Sequence, residues 1–133
     1  MGAAENKKLM QAIFAGLAQG DPRLFVDSMD ERFAWTVTGQ TKWSKTYQGK
    51  ETVLNELFGG LRERIEGRIR TTARRFIAED DVVVVEARGN NMTKKGTPYN
   101  NQYCFVFRLG EGKLQELTEY LDTELVTAAL GDS

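Results

Sequence analysis

Over residues 99–109 apolar and polar side chains alternate, the period-two signature of a strand with one buried face. Tyr103, Phe105, Phe107 and Leu109 share that face with Asn101, while Gln102, Cys104, Val106 and Arg108 point the other way. After Gly110-Glu111-Gly112 a second strand places Leu117 and Leu121 on one face with Glu119, and Leu114, Thr118, Tyr120 and Asp122 on the opposite face. The two runs predict a hairpin whose short glycine-containing turn supplies positive φ. If Leu109 opposes Lys113, the apolar faces coincide and Glu119 lies across from Tyr103. A one-residue slip would separate Phe105 from Leu117.

Upstream the period changes. Leu9, Met10, Ile13, Phe14 and Leu17 follow helical spacing over 5–19, ending near Gly20. Asp21-Pro22 then predicts a second helix to about Met29, with Asp as N-cap and Pro in the first helical position. Residues 32–38 are rich in strand formers, and 40–49 read as a polar loop carrying Trp43 and Tyr47. Over 50–65, Val53, Leu54, Leu57, Phe58, Leu61 and Ile65 make a helical stripe. Gly59-Gly60 weakens that helix by about 1 kcal/mol per glycine relative to alanine. Strands are expected at 69–78 and 82–90, a turn at 91–96, and a last helix at 124–130 capped by Asp122 or Thr123.

The order α-α-β-α-β-β-β-β-α predicts an α+β fold, a curved antiparallel sheet wrapped around the N-terminal helices. Helices must cover one sheet face, and the resulting cone can hold a pocket. The outer face carries Tyr120, Cys104, Val106, Val84 and Val82 among polar residues. It reads either as the contact of a homodimer or as a solvated surface.

Composition narrows the chemistry. The chain of 133 residues reads as a single domain, 1–133, with a formal net charge of −1 from 18 Lys+Arg and 19 Asp+Glu. That balance asks for neither a nucleic acid nor a membrane surface as partner, and a cytoplasmic location is the default expectation. Cys104 is the only cysteine, so no internal disulfide forms, and its apolar strand suggests a small buried thiol. The chain has no histidine, which excludes Ser-His and Cys-His catalysis within it and the usual zinc sites. Neither a cofactor nor a metal is expected. The arginines at 62, 64, 68, 70, 74 and 75 are balanced by Glu63, Glu66, Glu79, Asp80 and Asp81 and read as a solvated face. Glu86 and Arg88 share a strand face and are expected to pair there.

Four segments together carry a resemblance: residues 33–39 with Trp35, Tyr47-Gln48-Gly49-Lys50-Glu51-Thr52-Val53, residues 99–107, and the closing Glu119-Tyr120-Leu121-Asp122-Thr123. They resemble the SnoaL-like branch of the nuclear-transport-factor-2-like superfamily, the cystatin-like cone fold, over residues 9–125. Relatives include polyketide cyclases, ketosteroid isomerase and limonene epoxide hydrolase, alongside pure binding domains, so the resemblance implies a fold and not a reaction. Limonene epoxide hydrolase implies a catalytic set at positions matching Trp35, Val37, Ala87, Gly89 and Glu119, of which only Glu119 keeps a carboxylate. Ketosteroid isomerase implies a base aspartate near the first strand, where residues 32–38 offer none. The SnoaL-type cyclases imply one acid–base aspartate on the final strand, and Glu119 stands there, one methylene longer.

Glu119 and Tyr103 are therefore the candidate catalytic residues. A carboxylate on an apolar sheet face is costly unless it is paired or used. Glu119 is either a structural carboxylate satisfied by Tyr103 or an arginine, or a proton shuttle raised toward neutrality by desolvation. Tyr103 would donate to Glu119 or polarise a substrate oxygen, and Asn101 would bond a developing enolate. Trp35, Val37, Ala87, Phe105, Leu117 and Leu121 would form an apolar wall, with core filling the favoured account of Trp35. Trp43 and Tyr47 either cover the mouth or pack as ordinary loop residues. The expected ligand is a small hydrophobic carbonyl compound, turned over by aldol-type cyclisation or isomerisation. The alternative is a non-catalytic binding or dimerisation domain.

Overall fold

The computed structural model describes residues 2–131. Helix α1 (Ala3–Ala18) buries Met10, Ile13 and Phe14, the stripe expected from the sequence. It closes in a Schellman turn. Gly20 takes φ +75, its N–H bonds Leu17 O, and the Asp21 N–H bonds Gly16 O. The Asp21 carboxylate accepts the Arg23 N–H at 3.1 Å ahead of α2 (Arg23–Ser28), with Pro22 at the cap position. The expected N-cap thus lies one residue earlier than the cap, at the same helix start.

Six strands form one sheet: β1 (Met29–Val37), β2 (Thr46–Gln48), β3 (Thr71–Glu79), β4 (Val82–Gly89), β5 (Gln102–Gly110) and β6 (Lys113–Leu121). Their spatial order is β2-β1-β6-β5-β4-β3, with β1 and β6 parallel and every other pair antiparallel. Parallel pairing of the first and last long strands brings Trp35 and Glu119 into one neighbourhood. The helices pack against the concave face, where Phe14 meets the rings of Phe76, Phe105 and Phe107. The result is the expected α+β cone.

The region 40–49 is not a plain loop. Thr46, Tyr47 and Gln48 pair with Thr36, Trp35 and Ala34 as an edge strand. Trp43 and Tyr47 are buried, and the Tyr47 hydroxyl donates to Trp43 O at 2.9 Å. The helix after Gly49 has three parts: α3 (Lys50–Thr52), a π-helical turn (Val53–Phe58) and α4 (Gly59–Arg64). A π segment inside a helix widens it locally and is enriched at functional sites.

The β5–β6 hairpin turns on Glu111 (φ 52) and Gly112 (φ 76), as a two-residue loop with positive φ at both positions requires. Its register differs from the expected one. Gly110 pairs with Lys113 and Leu109 with Leu114, but Arg108 pairs with Glu116, leaving Gln115 bulged. The two-residue turn and the bulge each advance the register by one, so Leu114 faces the core, where it is fully buried, and Glu119 lies opposite Phe105 instead of Tyr103. Leu114 adds to the packing, so the extra residue is worth its unpaired backbone.

On the outer face Glu86 pairs with Arg74 and Arg75 across β3, at 3.0 and 2.9 Å, and not with Arg88. Cys104 is half-buried on this face, between Glu86 and Tyr120. Asp122 caps α5 (Thr123–Leu130) by accepting the Glu124 and Leu125 N–H groups at 3.0 and 3.2 Å. Among the described residues no helix is long and apolar enough to cross a membrane.

Asn101, fully buried, ties the start of β5 to the end of β6. Its Oδ1 accepts the N–H of Gln102 at 2.8 Å and of Asp122 at 3.0 Å, and its Nδ2 donates to Asp122 O at 3.1 Å. Asn101→Ala strands these backbone groups and is expected to cost about 2–4 kcal/mol. Urea unfolding checks it, and a loss below about 0.5 kcal/mol contradicts the tie.

Candidate active site

The concave face of the sheet and the helices above it enclose a cavity of about 420 Å³. Phe14, Phe25, Leu57, Phe58, Phe107 and Val126 are among its walls, and its lining is overwhelmingly apolar. Glu119 lies in that wall, held between β1 and β5 by pairing with Val37 and Phe105. Its carbonyl accepts from Thr38 twice, from N–H at 3.1 Å and from the hydroxyl at 2.9 Å. The carboxylate is nearly buried, with 7 % of the residue exposed.

Among the described residues its one hydrogen-bond partner is Trp35, whose indole N–H donates to Oε1 at 2.8 Å. Neither Tyr103 nor an arginine satisfies it, so both structural partners considered from the sequence are replaced by a neutral donor. Burial pushes the Glu119 carboxyl up from its ordinary 4.5 to about 7, against the smaller lowering by Trp35. Such a group exchanges a proton readily at neutral pH.

Of the other residues singled out from the sequence, Trp35, Val37, Trp43, Tyr103, Phe105, Leu117 and Leu121 line the cavity. Tyr47, Ala87 and Asn101 are buried but stand outside its wall. Asn101 spends its amide on backbone and on Tyr99, so it has no bond left for an enolate. Tyr103 stacks on Phe105 with centroids 4.8 Å apart. Trp43 is gripped between Gly60, where a Cβ would approach the ring to 3.0 Å, and the Arg64 guanidinium 4.9 Å from the ring centroid.

Tyr99 is the residue that sequence reading passed over. It lines the cavity and shares the strand parity of Asn101 and Tyr103, which was the available signal. Its hydroxyl accepts from Asn101 Nδ2 at 3.2 Å, leaving its own hydrogen for a ligand. Burial raises Tyr99 to about 12 and Tyr103 well above the usual phenol value. Both therefore stay neutral donors at physiological pH. Among the described residues no group of His, Cys, Asp and Glu is arranged to hold a metal ion.

The sequence matches the model of the SnoaL-like domain over residues 10–117. The chain belongs to the SnoaL-like domain family. Solved structures agree in fold with this SnoaL-like chain. A protein named as a SnoaL-like polyketide cyclase from Jannaschia sp. CCS1 has TM-score 0.78 at 17% identity, with 98% of this chain and 94% of that one covered. TerC, co-crystallised with polyporic acid, has TM-score 0.78 at 20% identity, with 94% and 97% covered. A protein named as an isomerase from Bacillus subtilis has TM-score 0.75 at 19% identity, with 100% and 98% covered. Among curated proteins none matches.

The raised Glu119 makes stability depend on pH. Between pH 4.5 and about 7 the folded protein keeps a proton that the unfolded chain has released, so stability falls as pH rises through that window and levels off above it. Glu119→Gln removes this term and keeps an acceptor for Trp35. The variant is expected to gain about 3 kcal/mol on wild type between pH 4 and pH 8, read from urea midpoints. Parallel curves for the two proteins contradict the raised value.

Proposed function

We propose that this SnoaL-like protein is a cofactor-independent enzyme that moves a proton at carbon in a small hydrophobic carbonyl compound, by aldol-type cyclisation or isomerisation. The reading rests on one observation. A single buried carboxylate with a pKa of about 7 faces an apolar cavity and has only a neutral donor for company. A cavity of about 420 Å³ suits a ring or short acyl ligand.

In this reading the charged Glu119 takes a proton from the carbon beside the substrate carbonyl. The C–H electron pair becomes an enolate, whose oxygen accepts from the neutral Tyr99 hydroxyl. Tyr103, a neutral phenol on the same cavity wall, offers a second donor. The protonated Glu119 then returns its proton, to another carbon in an isomerisation or to the new alkoxide in an aldol closure. Trp35 holds the carboxylate in place and tempers its pKa. The structural relatives named as a cyclase and an isomerase, and the one crystallised with polyporic acid, make both reaction types reasonable for this cavity.

Deuterium exchange beside the carbonyl of a cyclic ketone, followed by NMR in D₂O, tests the reading. Exchange should rise with pH and plateau above about 7. Glu119→Gln should lower it by about 100-fold or more. A ketone that quenches the cavity tryptophans yet exchanges no faster than in buffer returns the protein to the binding-domain class.

We also propose that the outer sheet face joins two copies of the chain. Ile77, Val84 and Val106 lie in register across three strands beside Tyr120, and Ile77 and Tyr120 are about half exposed. Sedimentation should give a dimer that Val106→Glu splits. A wild-type monomer at tens of micromolar contradicts the contact.

A further inference from the structure

The run of arginines is not a uniform surface. Arg74 and Arg75 both pair with Glu86, and Arg64 is spent on Trp43, on Gly60 O at 2.9 Å and on Glu63 at 3.7 Å. Arg62 and Arg68 are different. Both are exposed, both line the cavity that holds Glu119, and no carboxylate among the described residues forms an ion pair with either. They mark its mouth, together with exposed Pro22 and Gly67.

Arg68 is also positioned. Gly20, already required at φ +75, leaves room for the arginine stem, since a Cβ there would come within 2.8 Å of Arg68 Cβ and 3.1 Å of its Cδ. The guanidinium reaches Gly20 O at 3.4 Å. Asp21, whose carboxylate feels the Arg68 charge, is occupied by Arg23 at 2.8 Å. Beyond Arg68 a shallow polar depression is lined by Arg70, Asn90, Asn100 and one carboxylate, Glu66, and it shares Gly67, Arg68 and Asn91 with the cavity. The route from Glu119 outward therefore passes from apolar wall to cationic rim to polar shelf.

We infer that the ligand of this site is an amphipathic anion, whose apolar carbonyl-bearing body fills the cavity and whose carboxylate or phosphate is held at the mouth by Arg62 and Arg68. This names the substrate class for the proton-transfer reading and rests on that reading for the inner end only. A guanidinium fork binds either anion, and two forks at the end of an apolar channel fix which end of the ligand enters. Charge at the inner end would meet Glu119 with no cation to offset it.

Trp35 and Trp43 both line the cavity and are the protein's only tryptophans, so their fluorescence reports occupancy. The probes are 5-cyclohexylpentanoate, the matching alkyl phosphate, and the neutral carboxamide. In 0.1 M salt at least one anion should bind about tenfold or more tighter than the carboxamide, and the ratio between the two anions identifies the source. The Arg62→Gln, Arg68→Gln double variant should bring the anions down to the carboxamide's affinity and leave the carboxamide unchanged. Arg68→Lys alone should keep part of the preference. Equal affinities in wild type, or a preference that survives the double variant, overturns the inference. A preference lost in Glu119→Gln instead places the anion at the inner end and overturns it too. If a neutral cyclic ketone quenches the tryptophans and none of the three probes does, the rim inference fails while the cavity reading stands. Conversely, an intact anion preference with no ketone exchange removes the proton-transfer step alone.

Discussion

A carboxylate buried in an apolar cone needs something to keep it there, and in this protein that is one indole N–H. The Trp35–Glu119 bond of 2.8 Å joins the first long strand to the last across the parallel β1–β6 pairing. Its strength is intermediate by construction. A guanidinium in the same place would lock the carboxyl into its charged form far below neutrality, and an aliphatic neighbour would leave it almost permanently protonated. A neutral donor holds the geometry while burial sets the proton affinity. Tyr99 and Tyr103 on the same cavity wall stay neutral at physiological pH, so Glu119 is the group there whose charge can change near neutrality.

The register of the sheet sets that placement. The tight turn and the bulge at Gln115 each shift the hairpin by one residue, which seats Leu114 in the core and sets Glu119 against Phe105 rather than Tyr103. Glu119 thereby gains a flat apolar neighbour in place of a hydroxyl that could have satisfied it. Asn101 closes the far end of the same hairpin with its backbone bonds, and its amide also orients Tyr99. A single buried amide thus connects the frame to the chemistry. Desolvating Glu119 opposes folding above pH 4.5, and the surrounding aromatic packing must outweigh it. A local rule broken at that expense is what a functional position looks like.

Much of this was legible in the chain. Strand parity put Tyr103, Phe105, Phe107 and Glu119 on the core side, helical spacing found Met10, Ile13 and Phe14, and Asp122 announced its helix. These signals are local, and local chemistry decides them. What escaped depends on contacts far apart in sequence. A bulge leaves no mark beyond an apolar residue out of phase, and Leu114 was that residue. The short edge strand at Thr46–Gln48 needs Trp35 beside it to exist. Tyr99 had the right parity, but its place on the cavity wall and the Asn101 amide that reaches it exist only in the folded state. The arginines of the 62–75 run look alike in sequence, and only the fold separates those spent on Glu86 and Trp43 from those at the cavity mouth.

The most direct measurement is the titration of the Glu119 carboxyl itself, by its side-chain ¹³C chemical shift in glutamate-labelled protein, assigned by comparison with Glu119→Gln. A midpoint near 7, well apart from the other glutamates, is what a desolvated carboxylate held by a neutral indole must give. A midpoint in the ordinary range near 4.5 would mean that water or a cation reaches the group, and the carboxylate would then be a structural one with no proton to trade at neutral pH.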